Sequence, residues 1–381
     1  MNDRIRVGII GVGWGSVVQV PAFRAVPEYE VVALCSRRAE RVAEAGEQLG
    51  IADRSTDWRS FVARDDLDLI SVCTPVDLHL EQTVAALEAG KHVLCEKPVA
   101  VTEADARIMR DAAEASGRAH AVCFENRFDP MRLAIGDLVR DGFLGDPYYA
   151  RIANTGDYWH PSRGLQSEWM YRVDEGGGYL MGMASHDIDF LHSLFGPPAA
   201  LCADVRTTVP RRTRPDGSVL EVDADDTSVL VLRMANGLLA TLATCVVGLG
   251  SNRRELELLG GDGAISIDGS IMGGEQDTRV RAVHVDREGE FAVGASTRMP
   301  RSGAELPKRR AAGAIRSLAL MLEDWLPAFE GEPAPGVPTL RDGWLVQLVV
   351  DAARRSAAGE GWVDLTARVD PVPHHEGAGP A

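Results

Sequence analysis

Apolar and polar positions divide the chain into two textures. Up to about residue 123, short apolar runs at 6–10, 31–34, 69–72, 92–94 and 120–122 alternate with stretches at 17–25, 39–49, 78–89 and 104–116, where helix-forming residues recur at helical spacing. Strand and helix in alternation predict a parallel sheet with right-handed crossovers, an α/β domain of the doubly wound kind. Beyond Glu125 a helical stretch at 130–140 leads into longer strand-like runs at 148–154, 201–209, 227–234, 238–247 and 255–259, with hairpin punctuation such as Ala235-Asn236-Gly237. Consecutive strands of this kind predict an α+β domain built on a large, open, mainly antiparallel sheet. Helical patterns return at 185–194, 311–329 and 340–357, and the last of these is expected to pack back on the first domain. The Pro/Gly-rich end, 369–381, reads as a disordered tail.

Length and charge narrow the classes of function. A chain of 381 residues exceeds one ordinary core, so two domains are expected, 1–124 and 125–368. A formal charge of −16 argues against a nucleic-acid partner, because phosphate binding needs clustered basic charge. The local exceptions, Arg211-Arg212 with Arg214 and Lys308-Arg309-Arg310, read as solvated loops. Six dispersed cysteines show no metal-ligand spacing and fall in apolar runs, so reduced buried thiols in a reducing, cytoplasmic setting are expected, with no metal. No apolar run approaches a membrane span, and no export signal is evident. Small-molecule chemistry is the class that remains.

The chemistry is carried by two stretches of the first domain. Gly11-Val12-Gly13-Trp14-Gly15-Ser16 follows the first strand and opens the first helix, the setting in which a glycine turn brings backbone N–H groups to a pyrophosphate, as in a Rossmann dinucleotide site. Gly11 permits the turn, Gly13 permits close approach, and Ser16 stands where the fingerprint has glycine or alanine. At the end of the second strand, where an NAD-preferring fold places an acid, the chain reads Ser36-Arg37-Arg38. A serine and two arginines suit a 2′-phosphate, so NADP is preferred, with NAD retained as a second possibility; arginines pointing to solvent at a helix start are the competing explanation. The second stretch is Glu96-Lys97-Pro98, directly after an apolar strand pattern and so at the carboxyl edge of the sheet, where such folds bind ligands. Only Lys91, Lys97 and Lys308 are lysine among 40 basic residues, and a lysine retained at a cleft offers compact charge and an adjustable pKa.

Strand–GVGWGS–helix, Thr74-Pro75 followed by His79, Glu96-Lys97-Pro98, and Gly176-Gly177-Gly178 leading to His186 and Asp189 occur in an order that resembles the Gfo/Idh/MocA oxidoreductases. The resemblance runs motif by motif from residue 5 to about 200. It implies a nicotinamide across the sheet edge, with Thr74, Pro75 and His79 along its path and Glu96 and Lys97 near the reacting carbon. It further implies that Lys97 donates to the substrate oxygen and that His186 accepts or donates the proton, on a sugar-like substrate, in a homodimer or homotetramer. Arg127, Phe128 and Asp189 are expected to be structural. One departure concerns the catalytic dyad: the family often has Asp four residues before this histidine, and here that position is Gly182. Three arrangements remain open: another acid takes the role, water fills the gap, or Lys97 carries more of the proton transfer.

Asp157, Tyr158, Trp159 and His160 form a polar-aromatic cluster suited to a hydroxyl-rich ring, or simply a packed loop. Trp169, Tyr171 and Arg172 either line the substrate site or pack the domain junction. The three-glycine run is either part of the site or a flexible loop. The leading expectation is an NAD(P)-dependent sugar or cyclitol oxidoreductase. Its alternatives are a dinucleotide-sensing regulator and a redox-neutral glycosidase that keeps its dinucleotide bound.

Overall fold

The computed structural model describes residues 4–269, 279–301 and 311–368. The expected tail at 369–381 and the basic run Lys308-Arg309-Arg310 lie outside the described residues. The first domain runs β1 (Ile5–Ile10), α1 (Val20–Arg24), β2 (Tyr29–Cys35), α2 (Ala39–Leu49), β3 (Asp53–Ser55), α3 (Trp58–Val62), β4 (Leu69–Val72), α4 (His79–Glu88), β5 (His92–Cys95), α5 (Glu103–Ser116) and β6 (His120–Val122). Its six strands are parallel in the order β3-β2-β1-β4-β5-β6. The order reverses between β1 and β4, so the crevice at their carboxyl ends receives the Gly11 turn, Thr74 and Glu96-Lys97. All four residues of β4 are buried, as expected of a strand covered on both faces.

The second domain contains α6 (Pro130–Arg140), β7 (Pro147–Gly156), α7 (Ser185–Phe195), β8 (Pro198–Arg206), the small hairpin β9 (Arg211–Thr213) and β10 (Val219–Glu221), β11 (Thr227–Met234), β12 (Leu239–Cys245), β13 (Asn252–Gly260), β14 (Gly263–Gly269), β15 (Arg279–His284) and β16 (Arg287–Ala292). Helices α8 (Ala312–Trp325) and α9 (Leu340–Arg355) and the short β17 (Val363–Asp364) follow. Nine strands form one sheet, β16-β15-β14-β13-β7-β12-β11-β8-β17, antiparallel except for the parallel pair β7 and β12. Along β11 burial alternates strictly, so one face packs on helices and the other carries exposed Val229, Leu239, Leu259 and Val283.

Several elements depart from the sequence expectations. The helix expected at 17–25 is divided into a wide i→i+5 turn at Gly15–Gln19 and α1. Strand β3 reads Asp-Arg-Ser, with no apolar position to betray it, and lies at the sheet edge. Helix α8, on the far side of the division at 124/125, packs in the same core as Val7, Phe23 and Leu34. Its fully buried leucines contribute roughly 2 kcal/mol each there. Helix α9 docks on α5, where Trp344 Nε1 donates to Glu103 at 2.8 Å and Arg110 stacks over the Trp344 ring at 4.1 Å. The arginines at 211–214 are not simply solvated: Arg214 pairs with Glu168, and Arg212 is buried over the ring of Tyr171 at 4.7 Å.

Candidate active site

The glycine turn is shaped by close approach. Gly11 has φ +106°, and a Cβ on it would stand 2.1 Å from the Cys73 carbonyl oxygen, so no other residue fits there. Gly13 has open space where a Cβ would point, and Trp14 is 46 % exposed beside it. A Cβ on Gly15 would touch Ile9 at 3.0 Å, while the Ser16 hydroxyl donates to the Val12 carbonyl at 2.8 Å and braces the turn from within. At the end of β2, Arg37 and Arg38 are exposed, and neither guanidinium forms an ion pair among the described residues. Ser36 Oγ accepts from the Arg38 backbone N–H at 3.4 Å.

His79 is fully engaged in structure. Its Nδ1 lies 3.0 Å from the Pro98 carbonyl and its Nε2 2.9 Å from the Thr74 carbonyl, so the ring ties the Thr74-Pro75 loop to the Glu96-Lys97-Pro98 loop. The Thr74 hydroxyl donates to Gln82 at 2.7 Å. The Lys97–Pro98 peptide is cis. Glu96 is buried; one oxygen accepts from Gln19 at 2.8 Å and the other from the Lys97 backbone N–H at 3.2 Å. Gln19 in turn accepts from Ser71 at 2.7 Å. Burial raises the Glu96 pKa, against the pull of the neighbouring Lys97 charge and the Gln19 amide. Sequence reasoning missed Gln19 and Ser71, which carry no motif; only their fully buried setting reveals them.

From the second domain, the three-glycine run brings the partner helix in. A Cβ on Gly176 would stand 2.1 Å from Val76, and one on Gly177 would meet the Trp169 and Arg172 carbonyls, so the run is a tight junction with the first domain's Thr74 loop, not a flexible segment. It opens a wide turn at Leu180–Ala184 that feeds α7. Lys97 Nζ crosses the cleft to donate to the Gly182 carbonyl at 2.6 Å, one helical turn before His186. The two principal candidates are thereby brought to one place. His186 is 3 % exposed, its ring packs edge-on against Phe124 at 5.7 Å, and its buried Nδ1 has no hydrogen-bond partner among the described residues. Burial, then the charges of Lys97 and Arg132, hold its pKa well below the usual histidine range. The imidazole is neutral and able to accept a proton.

The flanking acids on α7 are anchors. Asp187 accepts from Arg132 at 2.5 Å, Asn154 at 2.6 Å and Arg254 at 3.2 Å. Asp189 receives Arg127 in a bidentate pair at 2.5 and 2.6 Å, and Arg127 reaches on to Asp342 of α9 at 2.8 Å. Phe128 is buried in the first domain's core. The aromatic cluster is stacked: Tyr158 lies 5.8 Å from Tyr179, and Trp159 lies 5.3 Å from Tyr171 and 6.1 Å from Tyr179. The Tyr158 hydroxyl is buried against Tyr179, and its pKa is raised by burial, then by Tyr179 and the Asp187 charge. Asp157 is occupied by Arg163 at 2.7 Å and the Gly250 N–H at 3.3 Å, and His160 by Ser162 at 2.8 Å. Arg172 pairs with Asp174 and Asp223, and Trp169 is 41 % exposed on the same loop.

Residues 5–124 match an oxidoreductase family with an NAD-binding Rossmann fold, and residues 133–266 match the GFO/IDH/MocA C-terminal domain. Levoglucosan dehydrogenase of Pseudarthrobacter phenanthrenivorans is 28 % identical over 387 residues, spanning 95 % of this chain and 98 % of that protein. A solved levoglucosan dehydrogenase in complex with NADH and levoglucosan has a TM-score of 0.79 at 27 % identity, covering 95 % of this chain and 99 % of the other. The scyllo-inositol 2-dehydrogenase (NADP(+)) of Bacillus subtilis is 31 % identical over 53 % of this chain and 55 % of its own length. Both domains match in the order the fold requires, and the Gly11 turn, Lys97 and His186 stand around one crevice; the chain belongs to the Gfo/Idh/MocA family of oxidoreductases.

Proposed function

We propose that the protein is an NADP-preferring dehydrogenase or ketoreductase acting at a secondary alcohol or ketone of a sugar, sugar derivative or cyclitol. The observation that carries this reading is the bond from Lys97 Nζ to the Gly182 carbonyl, which sets an ammonium from one domain beside a neutral imidazole from the other. The residues present fit a dinucleotide: the open side of Gly13 admits a pyrophosphate, and the unpaired Arg37 and Arg38 suit a 2′-phosphate. When bound, the nicotinamide supplies the hydride acceptor or donor. Lys97 has three N–H donors and spends one on Gly182, which leaves two for the substrate oxygen and its developing negative charge. His186 receives or returns the hydroxyl proton. The stacked Tyr158, Trp159 and Tyr179 form an aromatic cluster with two phenol hydroxyls, suited to a polyhydroxylated ring. That levoglucosan and inositol dehydrogenases are among the relatives supports this substrate class.

The test is nicotinamide absorbance with NADP and NAD against aldoses, anhydrosugars, glycosides and inositols. Turnover with at least one of these, faster with NADP, is expected. If calorimetry detected neither nucleotide on the purified protein, the reading would be abandoned. We also assign the exposed sheet face at Val229, Leu239, Leu259 and Val283 to self-association as a dimer or tetramer. Light scattering that returned a monomer would remove that assignment.

A further inference from the structure

Arg212 is a buried cation that the cleft of Lys97 and His186 does not use. It is the middle residue of β9, opposite Leu220 of β10, and these two side chains turn inward while Arg211, Thr213, Val219 and Glu221 are exposed. Arg212 is 6 % exposed, and its guanidinium lies over the Tyr171 ring at 4.7 Å. Nε and Nη1 are sealed from solvent with no hydrogen-bond partner among the described residues, and no acid there pairs with the group. Nη2 likewise has no partner there and is the one nitrogen not sealed.

Other buried arginines are treated differently. Arg127 is matched by Asp189 and Asp342, and Arg132 by Asp187. Around Arg212 the acids are already taken: Glu221 by Arg211 at 3.2 Å, Glu168 by Arg214 at 2.8 Å, and Asp223 by Arg172 at 3.8 Å. A buried guanidinium without an anion costs several kcal/mol, of which stacking on a phenol ring offsets roughly 2 kcal/mol. Water can accept from its N–H groups but cannot balance its charge. An oxyanion does both, meeting Nη2 and a neighbouring nitrogen in one two-point contact. We infer that Arg212 is the centre of a binding site for a small oxyanion, a carboxylate or a phosphate group, whose occupant steadies the turn at Tyr171.

The hairpin is joined to the cleft through the backbone. Arg206, Thr227, Cys245 and Thr155 are paired in succession across β8, β11, β12 and β7, so the hairpin that follows β8 stands at the same end of the sheet as Tyr158 and Trp159, which follow β7. The Tyr171 ring lies 5.3 Å from Trp159, and the Tyr171 carbonyl accepts from the Asp223 and Ala224 N–H groups at 3.3 Å. Asp225, the next residue, accepts the Tyr179 N–H on its carbonyl at 2.9 Å and the Leu180 N–H on its carboxylate at 2.8 Å. Leu180 opens the turn whose Gly182 carbonyl meets Lys97. An anion held at Arg212 therefore bears on the backbone that carries the contact between the two domains.

The experiment uses the full chain without substrate or nucleotide, so it does not depend on the proposed dehydrogenase activity. Thermal unfolding is followed while sodium acetate or sodium phosphate replaces sodium chloride at constant ionic strength. At least one of the two should raise the wild-type melting temperature saturably, by about 2 °C with anion at about ten times its half-saturating concentration. Saturation by acetate identifies a carboxylate site, and saturation by phosphate a phosphate site. R212Q should lose the saturable rise, and R212K, which keeps the charge but not the fork, should need about tenfold more anion. Hydrogen exchange across residues 166–180 should slow when the anion is added to wild type and stay unchanged in R212Q. A rise that never saturates, a rise that R212Q shares, or protection spread evenly over the chain would overturn the inference. Should R212Q fail to fold, an R212K half-saturation equal to that of wild type would overturn it instead. Saturable binding by a protein that turns over no sugar would refute the dehydrogenase reading alone, and sugar turnover with no anion response would refute this site alone.

Discussion

Two groups of buried polar side chains lie within a turn of each other on α7 and behave oppositely. Asp187 and Asp189 have arginine partners on every accessible side, with Arg132, Arg254 and Arg127 spread over α6, β13 and the domain boundary. His186, directly before them in sequence, has an Nδ1 without a hydrogen-bond partner among the described residues, and the buried Glu125 carboxyl, just after β6, is met by its own backbone N–H and by no arginine ion pair. A buried charge without partners costs several kcal/mol, so a saturated cluster reads as an anchor and an unsaturated one as a place kept for a ligand. The helix thereby does two jobs: its acids fix where it sits, and its histidine is held in place without being used up.

The comparison breaks most visibly if the anchor is cut. R132A leaves buried Asp187 with Arg254 as its one arginine and with Asn154, and should lower stability by about 4 kcal/mol, measured by denaturant unfolding at pH 7. If that loss were under about 1 kcal/mol, the anchor would not be the cause of the helix's placement. K97A touches the other cluster and should lower turnover a few hundredfold with little change in melting temperature, since the ammonium supports no packing.

E125Q sharpens the contrast through pH. The folded Glu125 pKa, about 7, is raised above its ordinary 4.5 by burial and then by Glu96, so the folded state binds the proton more tightly than the unfolded state. Stability is therefore penalised as pH rises from 4.5 through 7, and the penalty is complete above the folded pKa, on the order of 3 kcal/mol. Thermal unfolding should show E125Q more stable than wild type at pH 8 and nearly equal at pH 4. The smallest effect lies farthest from α7. Replacing both Arg37 and Arg38 by alanine should weaken NADP binding by roughly tenfold or more, with NAD little changed, as measured by calorimetry. Equal losses for both nucleotides would mean that the pair does not read the 2′-phosphate.

Much of the first domain is legible in the sequence because its strands are apolar throughout and its helices periodic, a pattern that local burial enforces. Helices Ala39–Leu49 and Pro130–Arg140 and strand Thr227–Met234 end where their patterns end. The second sheet is harder to read beyond residue 259, since β15 and β16 intersperse charge with few apolar positions. The candidate site divides along the same line. Gly11, Lys97 and His186 are visible because each sits in a short motif, while Gln19, Ser71 and Glu125 are ordinary polar residues in sequence.

By itself, then, the order of residues determined the alternating α/β domain, the glycine turn and the two candidate groups, all of which depend on neighbours a few positions apart. Tertiary structure alone decided that α8 belongs to the first domain's core, that Arg212 is buried, that Asp157 is spent on Arg163 and Gly250 and Arg172 on Asp174 and Asp223, and that Lys97 meets the Gly182 carbonyl. The reason is physical. Whether a polar side chain is an anchor or a reactive group depends on which partners reach it, and here those partners come from other elements far along the chain, as in |i−j| of 85 for Lys97 with Gly182 and 55 for Arg132 with Asp187.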